Sequence, residues 1–159
     1  MKNNDKTNAM RILERAKIPY ESFTYEQDPT MSGAEIAGIL HEDVATVFKT
    51  LVTRAKSGQH YVFVIPVASE LDLKKAARAA GEKSISMLKQ KELLPTTGYV
   101  HGGCSPLGMK KVFPTFVHSS AKNLDLFYVS AGKLGRQIAL APNDLAKVLN
   151  LSFADVTTD

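Results

Sequence analysis

Apolar positions along the chain recur with two periods, and each period predicts an element. Ala9, Ile12, Leu13 and Ala16 fall on one helical face and predict a first helix, ended by Pro19. Tyr20 to Tyr25 predicts a strand. Ser32-Gly33-Ala34-Glu35 carries the serine and glutamate of a capping box, in which each side chain satisfies a backbone N–H of the other. Ile36, Ile39 and Leu40 give the helix behind it an apolar face. Val47 to Thr53 and Tyr61 to Val67 predict two strands joined through Lys56-Ser57-Gly58. Leu73, Ala76, Ala77 and Ala80 form another helical stripe, with Gly81 where a left-handed C-terminal cap belongs. Lys74, Lys75 and Arg78 fall on the opposite, solvent-facing side of that helix.

Further along, a short helix around Met87–Leu94 is predicted to stop at Pro95, and a glycine-rich loop runs from Gly98 to Gly108. Val112–His118, Leu126–Ser130 and Arg136–Leu140 predict strands, the last two paired as a hairpin through Ala131–Gly135. Pro142 suits the first turn of a final helix with Leu145, Val148 and Leu149 inward. Strands and helices mix without a regular βαβ alternation. That predicts a mixed α/β, α+β-like fold with a largely antiparallel or mixed sheet. No repeat, low-complexity tract or long linker divides the chain, so residues 1–159 are expected to form one domain.

Composition narrows the function classes. With 44% apolar residues in 159, the chain can build a core without staples. A lone cysteine, Cys104, excludes an internal disulfide and so a disulfide-built secreted scaffold. The longest apolar run, Tyr61 to Ala68, contains Pro66 and falls far short of the ~20 residues a membrane helix needs. Met1-Lys2-Asn3-Asn4-Asp5 has no apolar stretch behind its charge, so no signal peptide is expected and the cytosol is the expected compartment. Lys and Arg number 20 against 16 Asp and Glu, for a net charge of +4. The excess is concentrated: Lys74 to Lys111 holds eight basic residues and two acidic ones, +6, leaving −2 for the remainder. A basic segment on a near-neutral body fits a polyanion-binding surface, with a solvated lysine face as the alternative.

The familiar catalytic signatures are missing. His41, His60, His101 and His118 lack metal-ligand spacing to one another or to Cys104, and no G-x-S-x-G elbow occurs. Gly103 to Lys110 approaches a phosphate loop but fails it. Met109 separates Gly108 from Lys110, no Ser or Thr follows, and Pro106 removes a cradling N–H. Cys104 has no identifiable base and fits an ordinary small packed cysteine. Lys49 is more informative, because Val47, Lys49 and Leu51 on one face and Phe48, Thr50 and Val52 on the other leave no solvent face for an ammonium. Either the strand is an edge and the stem snorkels, or Lys49 enters a pocket for a negatively charged or carbonyl-bearing group. Gly102-Gly103 would let backbone N–H groups approach a ligand and stabilise an oxyanion, or would only turn tightly. Ser130 and Gly132 could form a third wall.

Six segments in order give the chain a resemblance. They are Thr24-Tyr25-Glu26, Val47-Phe48-Lys49-Thr50-Leu51, Leu71-Asp72-Leu73-Lys74-Lys75, Thr97-Gly98-Tyr99, Gly102-Gly103-Cys104-Ser105-Pro106-Leu107-Gly108 and Tyr128-Val129-Ser130-Ala131-Gly132. From about Ala9 to Asp155 the chain resembles the YbaK/EbsC family of free-standing aminoacyl-tRNA editing proteins. The resemblance implies a twisted, mixed, partly barrel-like sheet flanked by helices, and deacylation of mischarged tRNA. Its nearest branch clears cysteine from proline tRNA, and related branches clear alanine from the same tRNA. Lys49 matches the family's essential lysine, and Gly102 lies where backbone is expected beside the scissile ester. Tyr25, Thr50, Gly103, Ser130, Gly132 and Gln137 are then expected at the substrate.

Lys74, Lys75, Arg78, Lys110 and Lys111 are expected to meet tRNA phosphates. In the cysteine-clearing branch the substrate's own thiolate attacks its carbonyl, so the protein need not supply a nucleophile. The resemblance implies no metal or organic cofactor, no membrane and no DNA. Transfer RNA is the expected partner, with prolyl-tRNA synthetase as a second candidate. Cysteine-clearing relatives often carry an aspartate where this chain has Gln137, and the Ser32–Leu40 helix is shortened and altered relative to them. Both differences bear on specificity. The rival readings are an alanine-clearing deacylase, a non-catalytic tRNA- or synthetase-binding module, and a hydrolase of small acyl compounds.

Overall fold

The structure, a computed structural model, describes residues 6–26 and 30–159; the Met1–Asp5 segment used above to judge a leader lies outside them. Chain order is α1 (Asn8–Arg15), β1 (Glu21–Thr24), α2 (Gly33–Ile39), β2 (Phe48–Ala55), β3 (His60–Pro66), α3 (Leu73–Ala80), β4 (Ile85–Met87), α4 (Gln90–Thr97), β5 (Thr115–His118), β6 (Phe127–Ser130), β7 (Arg136–Leu140), α5 (Pro142–Leu145) and β8 (Leu151–Ala154). The capping box forms as expected: Glu35 N–H donates to Ser32 Oγ at 3.1 Å, and Ser32 N–H to Glu35 Oε1 at 3.0 Å. Gly81 takes the left-handed cap at φ 73°. Thr7 caps α1, accepting from Met10 N–H at 3.2 Å.

The strands make two sheets, β1-β7-β6 and β4-β2-β3-β5-β8. The first is antiparallel throughout, and β6–β7 is the expected hairpin. In the second, β2 pairs antiparallel with β3 and β4, while β3–β5 and β5–β8 are parallel, so the sheet is mixed. A parallel bridge between Val47 and Tyr128 joins the two sheets. The uninterrupted apolar run of β3 is explained by burial on both faces. Val62 and Val64 enter a core shared with Phe48, Val52, Phe127, Ile138 and α1. Tyr61, Phe63 and Ile65 enter a second core under Ala76 and Ala77 of α3. Phe48 meets Phe127 edge-on at 5.2 Å, and Phe63 stacks on Phe116 at 5.4 Å.

Three expectations need correction. Pro95 lies inside α4 rather than ending a helix before it. Pro95 forgoes the bond its N–H would give Lys91 O, a cost the short helix carries, and the Thr97 hydroxyl donates to the Leu93 carbonyl at 2.8 Å in the last turn. Met87, placed at the head of that helix, is instead the last residue of strand Ile85–Met87, which pairs with Thr53–Ala55, and the helix itself starts only at Gln90. The final helix is a single turn, and the chain after it adds β8 alongside β5. Among the described residues no helix is long and apolar enough to cross a membrane.

Lys75 is half-buried rather than solvent-facing: its Nζ donates to Thr157 O at 2.8 Å and lies 3.1 Å from Asp155 Oδ2. The same C-terminal stretch is fastened by His118, whose Nδ1 accepts from Val156 N–H at 3.2 Å while Nε2 lies 3.3 Å from Thr157 Oγ1. Only a neutral ring can accept at Nδ1. Burial, opposed by Asp155 and Asp159 and aided by Lys75, holds the His118 pKa below its ordinary value. The neutral form is thus favoured by folding, and that contribution is whole above the unfolded-state pKa and lost as pH falls toward the folded one. Unfolding free energy should fall from about pH 7.5 to about pH 5, the histidine range. His118→Asn should flatten part of that slope in denaturant titrations. The remainder comes in part from His60, which burial and Arg54 shift the same way. An unchanged slope in His118→Asn would contradict the latch.

Candidate active site

Strand β4 covers only the last three residues of β2, so residues 48–51 keep one edge unpaired by β4. Beside that edge opens a cleft of about 290 Å³. β2 contributes Phe48, Lys49, Thr50 and Leu51 to its lining; β6 and β7 contribute Val129, Ser130, Arg136 and Gln137. The first turns of α2 supply Gly33 and Ile36, with the cap residue Ser32, while α4 and the glycine loop supply Leu93, His101, Gly102 and Cys104. Tyr25 follows β1 into the wall. Lys49 thus lies on the stretch of β2 that β4 leaves uncovered and lines the cleft beside it. Among the described residues Lys49 has no carboxylate within ion-pair distance.

Six residues expected at the substrate thus share one cleft: Tyr25, Lys49, Thr50, Gly102, Ser130 and Gln137. Gly103 and Gly132 are not in its lining and serve the walls instead. Gly103 is buried, and its N–H donates to Val100 O at 3.0 Å. Of the two loop glycines, Gly102, exposed at φ 86°, is the one that lines the cleft. A Cβ there would fall 2.7 Å from Leu134 Cδ2 in a backbone conformation that side chains resist. Gly132 N–H donates to Ser130 Oγ at 3.1 Å, so the Ser130 hydroxyl keeps its own proton for a ligand. Tyr99 braces the loop by donating to the Leu107 carbonyl, and burial pushes its pKa up to about 12.

The cleft is polar in an unusual way. Thr50 Oγ1 and Gln137 Oε1 are buried without a hydrogen-bond partner, and so are both carboxylate oxygens of Glu42, behind Gln137. Unmet buried neutral polar groups cost about 1–3 kcal/mol each and charged ones more, and the Thr50 hydroxyl can donate as well as accept, so a ligand that pairs with them gains. Tyr25 keeps its proton firmly, because burial raises its pKa and the Glu42 charge adds to that, against a backbone contact from Gly135. Arg136, His101 and Leu93 belong to the lining without having been singled out in the sequence; Arg136 follows Gly135 and precedes Gln137, a proximity that could have flagged it.

The basic residues divide. Lys74 and Arg78 are exposed on α3, and Lys110 and Lys111 are exposed at the end of the loop that carries Gly102, while Lys75 is engaged as described. Exposed Lys89 and Lys91 flank the start of α4, the element that supplies Leu93 to the cleft. A second cavity of about 200 Å³, bounded by Ile12, Leu107, Phe113 and Val148, is mainly apolar, and Lys111 is the one charged residue in its lining. The residues the sequence analysis expects at the substrate lie in the larger cleft, not in this one. Among the described residues no cluster of three or more His, Cys, Asp or Glu could hold a metal ion.

A fold that closes a small cleft around one lysine, one glycine N–H and unmet acceptors matches a known class. The model of the aminoacyl-tRNA editing domain family matches residues 27–148, and the chain belongs to that family. It is 45% identical over 158 residues, 99% of this chain and 96% of the relative, to EbsC of Enterococcus faecalis, a proposed Cys-tRNA(Pro)/Cys-tRNA(Cys) deacylase. It is 27% identical over 146 residues, 91% of this chain and 83% of the relative, to the prolyl-tRNA editing protein ProX of Acetoanaerobium sticklandii. A crystal structure of a proposed trans-editing enzyme for prolyl-tRNA synthetase superposes with a TM-score of 0.80 at 21% identity, covering 96% of this chain and 99% of that one, a likeness of fold.

Cys104 lines the cleft but is buried at 8% exposure, and burial pushes its thiol up to about 12. A thiol held protonated is a poor nucleophile. In native protein at neutral pH, Cys104 should resist alkylation by iodoacetamide and react fully on unfolding, as read by mass spectrometry. Rapid labelling of the folded state would contradict this burial.

Proposed function

We propose that the protein, residues 1–159 acting as one editing domain, is an aminoacyl-tRNA deacylase. It works in trans on mischarged tRNA, with cysteine on proline tRNA as its substrate. The observation that carries this reading is the convergence of Lys49, Thr50, Gly102, Ser130, Tyr25 and Gln137 on one cleft in a chain of the editing family. The deacylase function for which EbsC is named, at 45% identity, supports the choice of cysteine and proline tRNA. The cleft's small volume suits one amino acid and the terminal ribose, not a polymer.

In this reading Lys49 meets the negative charge that develops near the ester, and the Gly102 N–H stabilises the carbonyl oxygen as it becomes an oxyanion. Cysteine supplies the nucleophile. Its thiolate sulfur bonds to its own carbonyl carbon, the ester C–O bond breaks, and the terminal ribose oxygen leaves and takes up a proton. The buried, protonated Cys104 is consistent with a protein that lends no thiolate of its own. The exposed lysines and Arg78 would hold tRNA phosphates in the cytosol, and prolyl-tRNA synthetase is the partner whose errors such an enzyme corrects.

Lys49→Ala should lower the deacylation rate at least ~10²-fold, the scale of one donor to developing charge, and keep its thermal midpoint because Lys49 has no ion pair to break. Near-normal turnover by the folded variant would contradict the assignment.

A screen of cysteine-, serine- and alanine-charged proline tRNA should show cysteine cleared far faster than serine. A thiol near pKa ~8.5 is a few per cent thiolate at neutral pH, whereas a hydroxyl is not ionised. Cys104→Ala should remain active. Clearance of alanine alone would assign the related branch, and no clearance of any ester would favour a binding module.

Binding of tRNA should weaken steeply with salt. Replacing Lys74, Arg78, Lys110 and Lys111 by glutamine should flatten that dependence in filter-binding titrations. An unchanged slope would make them a solvated surface.

A further inference from the structure

Three of the four histidines have structural work. His41 makes the left-handed turn that ends α2, at φ 58°, a position usually given to glycine. His60 packs its ring against Phe113 at 5.3 Å, and His118 fastens the C-terminal stretch. His101 is the fourth. It is exposed, it lines the Lys49 cleft, and among the described residues its ring has no hydrogen bond, ion pair or ring contact. The loop nevertheless fixes its place. Gly103 N–H donates to Val100 O at 3.0 Å and closes a four-residue turn with His101 and Gly102 at the corners. φ is positive at Gly102, 86°, and not at His101, which is the pattern of a type II turn with glycine at its second corner. The backbone thus determines where the imidazole leaves the chain.

Ser32, His101 and Gly102 are the exposed residues of the cleft lining, so they mark its mouth. The other rings in that lining, Tyr25 and Phe48, are half-buried and buried, which leaves His101 as the aromatic face open to solvent there. Two cations are rooted beside the turn. The stem of Lys110 lies against Gly98, where an added Cβ would come 3.4 Å from its Cγ. The backbone of Lys133 packs on Gly103, 3.4 Å from where a Cβ would stand. Both lysines are exposed, and among the described residues neither is paired with a carboxylate. An open aromatic face with ammonium groups nearby suits a nucleotide, whose base has a π-face to stack and whose phosphate has charge to neutralise.

We propose that His101 is a substrate-binding residue whose ring stacks on the terminal adenine of the tRNA and so sets the ester at Gly102. The inference rests on the deacylase reading above. Ester and base hang from the same ribose. The groups that would hold them, the Gly102 N–H and the His101 ring, belong to consecutive residues, whose Cα atoms stand about 3.8 Å apart. An imidazole offers a flat face with or without its second proton, so the role is one of shape and not of proton transfer. A base held by stacking keeps the ribose from turning, and that orients the carbonyl for attack.

The test uses two stable amides, cysteine joined to 3′-amino-3′-deoxyadenosine and the same amide on a ribose without a base. Both are titrated by calorimetry into wild type, His101→Ala and His101→Phe. His101→Ala should weaken the adenosine compound about tenfold, the scale of one base stacked on an aromatic ring, and leave the abasic one nearly unaffected. His101→Phe keeps the flat face and removes the ring nitrogens, and it should bind both compounds much as wild type does. In deacylation of cysteine-charged proline tRNA, His101→Ala should lose through KM more than through kcat, and His101→Phe should recover most of that loss. Thermal midpoints should hold, since the ring has no partner to lose. Equal weakening of both compounds by His101→Ala, weakening of neither, or kcat lost alike in both variants would overturn the inference and leave the deacylase reading standing on wild-type turnover of the tRNA. Wild type that clears no ester would overturn that reading and this inference together.

Discussion

Everything in this molecule depends on one strand that is only partly covered. β2 is the second strand of the larger sheet, but β4 pairs with its last three residues alone, and the Val47–Tyr128 bridge carries the smaller sheet up to its beginning. Between those contacts lies a stretch of strand with one edge that β4 leaves open and a buried neighbour, β3, on the other side. An open edge is ordinarily a liability for pairing with other chains. Here α2, α4 and the glycine loop close around it and turn it into a cleft. Lys49 is half-buried and lines that cleft instead of belonging to either core.

The walls of that cleft are built from groups the fold does not satisfy. A protein optimised for stability alone would not bury Thr50 Oγ1, Gln137 Oε1 and the Glu42 carboxylate without partners. Their cost is carried by two well-packed cores on either face of the larger sheet. Ser130 and Gly132 show the opposite arrangement, in which a local hydrogen bond fixes the hydroxyl while leaving it free to donate.

Much of the frame was legible because its signals are local. The capping box at Ser32 and Glu35 and the glycine cap at Gly81 depend on few neighbours, and β3 declares its double burial by an apolar run. Short strands were not legible: Ile85–Met87 and Leu151–Ala154 are defined by the partners they find, not by their own pattern. Pro95 misled because a proline within a helix forgoes one i→i−4 bond without always ending it. Within the site, Lys49 stood out as a charge in an apolar strand and Gly102 as a loop glycine, but Gly103 and Gly132 could not be told from it without knowing which N–H groups were already engaged. Glu42 was invisible, since a lone glutamate after a helix reads as a solvated residue and its turn is made by His41, not glycine.

The most direct measurement is where the amino-acid end of the substrate binds. A stable analogue, cysteine joined through an amide to 3′-amino-3′-deoxyadenosine, can be titrated into isotope-labelled protein and followed by NMR. The cleft reading predicts shift changes and intermolecular contacts centred on Lys49, Thr50, Gly102, Ser130 and Gln137, with α3 and the apolar cavity at Phe113 undisturbed. Contacts centred on that cavity, or on α3 with the Lys49 cleft silent, would contradict it.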